Sequence, residues 1–507
     1  MDRGKTSWLA ALLDILGALC VFAALSVFFI LWRPGRTDVA FLVHLLCTLA
    51  LGLCLFTGAM SGRPLRRPFS APEGIFLIII AWNGISAARG TVFAYSFEHL
   101  LFLLDSLFLF YVGTTLFARR SEGFIVLSAL FAAGLIFIPV RPEFTASENK
   151  PSPSALYRGD RLIGAAFAER PLFGCGPGCL PSLTVHYLPL GDRHIPAFRN
   201  AWKVLATEAG LPGILLWLAM LLAFVFAVRK KLAANTPSRS LVIRLSLLSA
   251  AVAGLIMAAV FHPALSRPGL FLLLLLPAGT ILGLAEEGMS SLSESVPACP
   301  RRRRFPAVML LFIPVLFCVA AVSALPVAAE SLIRIRRVSE LGSDSYGARV
   351  RLAVRLAPWL PQVYRAEAKH LRALPAERMK GKMYLVDGAF LRMISANPFD
   401  PQSYMEYGHF LDLKKDNQAL LNQLRKGRAK CPGSVEIRIF LSMVNLRMDL
   451  RNEALDELHA LWAFHPLDHA HGIRIARMLS EAGALTAAHE AETMAIQVAP
   501  AFRREKP

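Results

Sequence analysis

The sequence predicts an all-α protein in two parts: a polytopic transmembrane helix bundle of about nine spans over residues 1–329, then a soluble α-solenoid over residues 330–507. Three observations predict it. Nine apolar segments approach or exceed bilayer length, basic residues sort to one side of them, and past residue 330 four prolines recur every 34 residues.

The apolar segments run roughly over 7–32, 39–60, 73–90, 96–117, 122–140, 211–228, 240–261, 268–285 and 306–329. About 20 apolar residues cross the ~30 Å hydrocarbon core. The third segment is the weakest, because Trp82, Asn83 and Arg89 dilute it. The chain is 55% apolar with a mean hydropathy of +0.48, above the norm for soluble domains. The first apolar run is too long for a cleaved signal peptide, so a retained span is expected.

Charge sets the orientation. With the N-terminus inside, the cytoplasmic connections carry Arg3 and Lys5, then Arg63, Arg66 and Arg67, then Arg119 and Arg120, then Arg229, Lys230, Lys231 and Arg239, then Arg301 to Arg304. The short outer loops carry Arg33, Arg36, Arg89 and Arg267. Fifteen basic residues against four is a positive-inside bias. It places the 141–210 loop and everything after 330 outside the cytoplasm. The formal net charge of +19 then reflects topology and contact with anionic membrane lipids. No basic–aromatic motif points to nucleic acid.

The cysteines give no metal-ligand spacing, so neither metal nor other cofactor is expected. Cys20, Cys47, Cys54 and Cys318 fall in apolar segments, where a thiol acts as a small hydrophobe. Cys175 and Cys179 flank a Gly-Pro-Gly and can pair in an oxidising compartment.

Beyond residue 330 apolar positions recur with helical spacing among charges. Pro398, Pro432, Pro466 and Pro500 close units of 34 residues. Helical pairs of this period resemble the tetratricopeptide repeat, whose units bury their apolar faces only by stacking. Ala454, Leu455 and Leu458, and later Ala487 and Ala488, sit where small and apolar residues pack one helix on its partner. Residues 344–396 read as a degenerate earlier pair. The period is silent on ligand; a protein partner on these repeats is expected.

The chain is organised around residues 156–217, the long polar stretch between apolar runs. It holds Gly174-Cys175-Gly176-Pro177-Gly178 and Glu208-Ala209-Gly210-Leu211-Pro212-Gly213, with Arg193, His194, Arg199, Asn200 and Lys203 between them. The first segment reads as a sharp reversal near the membrane. No Gly-Lys-Ser/Thr follows, so it is not a nucleotide phosphate loop. Gly210, Pro212 and Gly213 read as the break that ends the loop helix and starts the sixth span.

AERPLFGCGPG followed by RNAWKVLATEAGLPGILLWLAML resembles the O-antigen ligase and O-antigen polymerase family. FHPALSRPGLFLLLLLPAGTILGL is similar to its closing spans, and RRPFSAPEGIFLIIIAWNGISAARG more weakly to an early span; together the likeness covers roughly residues 60–285. The resemblance implies a helical bundle of the membrane glycosyltransferase type in a bacterial inner membrane. It also implies transfer of a glycan from a polyprenyl-diphosphate carrier to a glycan, lipid or protein acceptor on the periplasmic face. Envelope polysaccharide or lipopolysaccharide biogenesis would be the setting, with no nucleotide or metal. Two departures stand out. The family's histidine before the asparagine aligns with Arg199, and nine spans are counted where about twelve are usual.

A diphosphate leaving group needs positive charge where oxygen charge develops, and arginine binds phosphate oxygens bidentately. The resemblance points to Arg158, Arg161 and Arg199 for this role, with Arg170 and Arg193 behind them. For any single loop arginine a solvated charge is the plain alternative. His194 is the candidate base beside Arg199, with His186 and Glu208 as other choices. Within the spans Asp105 sits at mid-membrane depth, where a carboxylate is paired or functional. Arg244 and His99 are its candidate partners, and Asp14 and His44 are weaker intramembrane cases. Two other readings stay open: a catalytically inactive relative whose repeats scaffold an envelope machine, and, least favoured, a transporter. The membrane half shows no internal repeat of the transporter kind.

Overall fold

The structure is a computed structural model, and it describes residues 3–31, 37–60, 71–114, 162–187, 201–233, 275–276, 278–281, 320–335, 340–379, 381, 383–463 and 469–498. Every regular element among these is a helix. The chain divides into two compact units, Met1–Cys179 with Ala197–Ser331, and Leu180–Pro196 with Leu332–Pro507.

The first unit holds α1 (Arg3–Leu31), α2 (Thr37–Met60), α3 (Ala71–Arg89), α4 (Phe93–Val112) and α6 (Ala201–Ala233). Within them Val39–Thr57, Ala71–Arg89, Phe93–Val112 and Trp202–Lys230 are long and apolar enough to cross a membrane, the mark of a membrane protein. Ala11–Val27 and Ala320–Ile333 are shorter apolar helices. The expected spans over 122–140 and 240–261 lie outside the described residues, as does most of 268–285.

α4 is the middle of this unit. Phe102, Leu109 and Val112 pack with Val21 and Leu25 of α1 and Val43 and Cys47 of α2. On another face Leu103 and Phe110 join Phe76 and Ile79 of α3 and Trp217 and Met220 of α6. Leu215, Leu218, Leu222 and Phe226 of α6 point outward and are exposed. A row of that kind suits lipid, which solvates leucine without cost.

The second unit starts with α5 (Leu180–Tyr187) and continues from residue 344. Its helices are α7 (Asp344–Leu356), α8 (Pro361–Arg372), the short α9 (Ala376–Met379), α10 (Met383–Ala396), α11 (Pro401–Leu413), α12 (Asn417–Lys430), α13 (Val435–Arg447), α14 (Arg451–Ala463), α15 (His469–Glu481) and α16 (Leu485–Val498). Helices begin at 401, 435 and 469, and their partners at 417, 451 and 485, so both series step by 34 residues. Over 344–396 the expected pair is instead three helices and a short turn of a fourth. Pro361 and Pro375 each start a new helix there, since proline fits a first turn and not an interior.

Local chemistry explains the repeat. Asp400, Asp416 and Ser434 cap α11, α12 and α13 by accepting from Gln402, Ala419 and Ile437 main-chain N–H groups. Gly427 lets the Tyr404 ring lie against α12, where a Cβ would approach it to 3.0 Å. Leu458, Leu461, Ile475 and Leu479 fill the core between the last pairs. Glu457 is buried and takes Arg428 and Arg438, so its charge is paired from two neighbouring helices.

Burial, with Asp400 adding, pushes the Cys431 thiol from 9.0 to about 12. Burial, with Asp387 adding, pushes the Tyr407 phenol from 10.0 to about 12. Both groups hold protons in the folded state that the unfolded chain releases. Stability is therefore full below about pH 9 and falls as pH rises from there toward about 12. Thermal unfolding of the whole protein in detergent is expected to show this alkaline loss, and Cys431→Ser to make it shallower.

Candidate functional site

The site is built where α6 breaks. Gly210 has φ 72° and ψ −178°, a backbone conformation open in practice to glycine alone, and Pro212 lies two residues later. Pro212 has no N–H, so the Glu208 carbonyl loses its helical donor, and the turn at Gly210 takes neighbouring carbonyls out of line as well. All three exposed acceptors find partners. Thr207 O accepts from Cys175 N at 2.9 Å, and Glu208 O from Gly176 N at 3.1 Å. Ala209 O accepts from the Trp82 indole Nε1–H at 2.8 Å. In return Leu211 N donates to Pro171 O at 2.8 Å.

The two Gly/Pro segments are thus one structure. Gly174, Gly176 and Gly178 all have positive φ, and the turn they make points the successive N–H groups of Cys175 and Gly176 at α6. A Cβ at Gly174 would collide with Glu208 O, and one at Gly210 with Leu172 O. Pro177 is buried at the turn. Gly213 leaves room for Ala209, whose Cβ a side chain there would meet at 2.4 Å.

A third segment, the end of α3, closes the cluster. The Ser86 hydroxyl lies 2.6 Å from Phe173 O and 3.1 Å from Glu208 O. Thr91 N donates to Cys175 O at 2.9 Å. Trp82 stacks on Phe173 with ring centroids 5.5 Å apart, and the Arg89 guanidinium covers the same Phe173 ring at 4.4 Å. Arg170 Nη1 donates to Arg89 O at 3.4 Å. Arg89 and Arg170 therefore present two exposed guanidinium groups at one turn, beside the end of a membrane-length helix. Such a pair can hold a phosphate-type oxyanion without a metal. Among the described residues no group of three metal-ligating side chains occurs.

Arg158, Arg161, Arg193, His194, Arg199 and Asn200 lie outside the described residues. Arg170 is at the turn, Lys203 is exposed on α6, and Glu208 is buried at the break. His186 lies on α5, in the second unit. Arg89, Trp82 and Ser86 were not marked as site residues by sequence reasoning; only the weak early-span likeness of AWNGISAARG touches them.

Cys175 and Cys179 are both free thiols and both buried; the disulfide that their spacing allows is not formed. Cys179 Sγ donates to Val92 O at 3.2 Å and lies 3.3 Å from Ser96 Oγ, which fixes it toward α4. Burial, with Glu208 adding, pushes the Cys175 thiol well above its usual value, and burial raises Cys179. Neither is a reactive nucleophile.

Asp105 is fully buried, and its partner among the described residues is His44 and not the expected His99, while Arg244 lies outside the described residues. His44 Nδ1 lies 2.5 Å from Asp105 Oδ1 with both side chains 0% exposed. The pair ties α2 to α4, since these two helices pack together. Among the described residues His44 Nε2 and Asp105 Oδ2 have no hydrogen-bond partner.

No protein-family model matches the chain, and no curated protein matches it in sequence.

Two measurements check this geometry. Gly210→Ala adds strain and a main-chain clash, and is expected to cost about 3 kcal/mol or more of stability in detergent. Gly164→Ala, in the helical stretch 162–169 with open space around it, is expected to cost nothing and to gain up to about 1 kcal/mol. For the intramembrane pair, Asp105→Leu is expected to cost on the order of 2–3 kcal/mol by stranding His44. Adding His44→Leu should then return most of that loss in thermal unfolding.

Proposed function

We propose that the protein transfers a glycan from a polyprenyl-diphosphate carrier to an acceptor, as O-antigen ligases and polymerases do, at the outer face of a bacterial inner membrane. In this reading the membrane part is a nine-span bundle of the membrane glycosyltransferase type. The tail is a tetratricopeptide-like solenoid on the periplasmic side. The observation that carries the reading is the convergence of three segments. The two Gly/Pro motifs and the early-span segment are the stretches that resemble the family; the motifs interlock through main-chain hydrogen bonds, and Trp82 and Ser86 of the early-span segment donate side-chain hydrogens to their carbonyls. Around that cluster stand exposed arginines, at a helix end suited to a membrane edge.

In mechanism, Arg89 and Arg170 would bind the carrier diphosphate together with the loop arginines Arg158, Arg161 and Arg199. Their fixed charges favour departure of the diphosphate, whose negative charge grows as the glycosidic bond breaks. The acceptor hydroxyl then attacks the anomeric carbon and gives up its proton, with His194 the candidate to accept it. The aromatic stack under Arg89 matters here. It holds the guanidinium plane in one place, so less freedom is lost on binding.

A second reading, an inactive ligase-like scaffold that recruits partners through its repeats, is favoured by Arg199 standing where the family has histidine.

A surface-glycan profile separates the two. The gene is deleted and complemented with wild type, with Arg89→Ala plus Arg170→Ala, and with Arg158→Ala plus Arg161→Ala. Under the transferase reading deletion depletes a long-chain glycan and wild type restores it. Each arginine pair then restores under about a tenth while inserting normally, a loss in line with removing charge-assisted contacts. Full restoration by both arginine variants, with insertion unchanged, would leave the scaffold reading standing.

A further inference from the structure

The contact between His44 and Asp105 leaves polar atoms over. It lies in the layer where Val21, Val43, Cys47, Phe102 and Leu109 form the core of α1, α2 and α4. The Phe108 ring stands beside the imidazole, at 6.1 Å between centroids. The contact uses one atom of each side chain, Nδ1 and Oδ1. Thr48 Oγ1 is a third buried polar atom that, like His44 Nε2 and Asp105 Oδ2, has no hydrogen-bond partner among the described residues. Thr48 lies one turn past His44 on the same face of α2. Buried polar groups are nearly always satisfied, so three such atoms on one helix contact point to an occupant.

Counting protons says which. One hydrogen lies between Nδ1 and Oδ1. Were it the only one, the imidazole would be neutral, the carboxylate ionised, and the pair would carry a full negative charge. An uncompensated charge buried among apolar helices is strongly unfavourable. The elements around the pair do not offset it among the described residues. α1 brings Asp14, on the stripe of Ala18 and Val21, and the Cys20 thiol. α2 brings the Cys47 thiol, within electrostatic reach of both Cys20 and Asp105. α4 brings Glu98, seven residues before Asp105 on the same stripe, whereas His99 sits against Gly178. α3 and α6 meet the other face of α4, at Leu103 and Phe110. The 275–281 stretch packs at Gly113, eight residues past Asp105, and brings Thr280. These facing groups are acids, thiols and a hydroxyl.

A second proton makes the pair neutral. It sits on Nε2 or on Oδ2, and in either case one outward atom donates and the other accepts. Thr48 Oγ1, donor and acceptor at once, can serve either. We propose that His44 and Asp105 form an intramembrane proton-binding site, which holds one dissociable proton while α2 and α4 are packed and whose emptying weakens that packing. On release the proton passes to bulk water and the pair keeps one negative charge. The first turn of α4 holds Cys179 through Ser96 and the carbonyl of Val92 just before it, so the helix that carries the proton site also seats the 170–179 turn. The site is independent of the glycan-transfer reading, and neither fails with the other.

Reversible unfolding of the whole protein in mixed micelles, followed from about pH 5 to about pH 9, tests the site. In Asp105→Asn an amide stands permanently where the neutral acid would be, with one donor and one acceptor. The unfolded chain gives up the aspartate proton near pH 4. The folded-to-unfolded ratio of wild type is therefore expected to fall, relative to that of Asp105→Asn, by about tenfold per pH unit, the slope of one proton. It levels off where the site empties. Groups common to both proteins, Cys431 and Tyr407 included, cancel in the comparison. The pair His44→Leu plus Asp105→Leu is a second reference, should the amide not fold. Against it wild type should fall with the same slope above about pH 6.5, where unfolded histidine is neutral. A wild type that keeps pace with its reference over the whole range overturns the site. Sodium chloride against choline chloride, at equal ionic strength and about pH 8, asks whether the occupant is a metal cation, and no difference is expected. A stabilisation of wild type by sodium of about tenfold, absent in the reference, overturns the proton and gives the site to an alkali ion.

Discussion

A helix that breaks inside a packed unit must still satisfy its carbonyls, and this requirement shapes the first unit. Gly210 and Pro212 together leave Thr207, Glu208 and Ala209 without helical donors. The N–H groups that replace them come from Cys175, Gly176 and Trp82. Donors can approach that closely only if the donating chain lacks a side chain at Gly174, and the bare Gly176 leaves the same kind of room for Ser96 and Gly90. One break therefore dictates the composition of a second segment and the placement of a third. The exposed arginines follow from the same constraint, because Arg89 and Arg170 flank the stretch held against the break.

The second unit obeys a different rule. Its helices begin in two interleaved series with a common step, so each pair repeats the geometry of the one before. Capping residues start the helices and prolines fall in the turns between pairs. Glu457 joins two pairs, taking Arg438 from its own pair and Arg428 from the pair before.

Much of this can be read in the residues, and some cannot. The period is plain from four prolines, because a turn that excludes helix leaves a fixed mark. A break at Gly210-Leu211-Pro212-Gly213 is likewise plain from residue type. What no local pattern carries is which distant group fills a gap. Trp82 and Ser86 look like ordinary polar dilution of a weak apolar segment, yet they bond to carbonyls up to 127 positions away. The burial of Asp105 follows from its depth, but its partner does not. His44 is a single polar residue on an apolar helix, and only the packing of α2 on α4 brings it to the carboxylate. The Cys175–Cys179 spacing suits a disulfide, but Ser96 and the Val92 carbonyl hold Cys179 toward α4 instead.

The interlock of α3, the 170–179 turn and α6 also has a bearing on biosynthesis. The end of α3 reaches its final environment only when the residues around Ala209 have been made, 127 positions after Trp82. At about 5–20 residues per second that is roughly ten seconds of translation. Through that interval α3, diluted by Trp82 and Asn83, sits at the translocon without the neighbours that complete it. Until the lock closes, the nascent chain holds this helix by its apolar content and by the packing of Phe76 and Ile79 on Leu103 and Phe110 of α4.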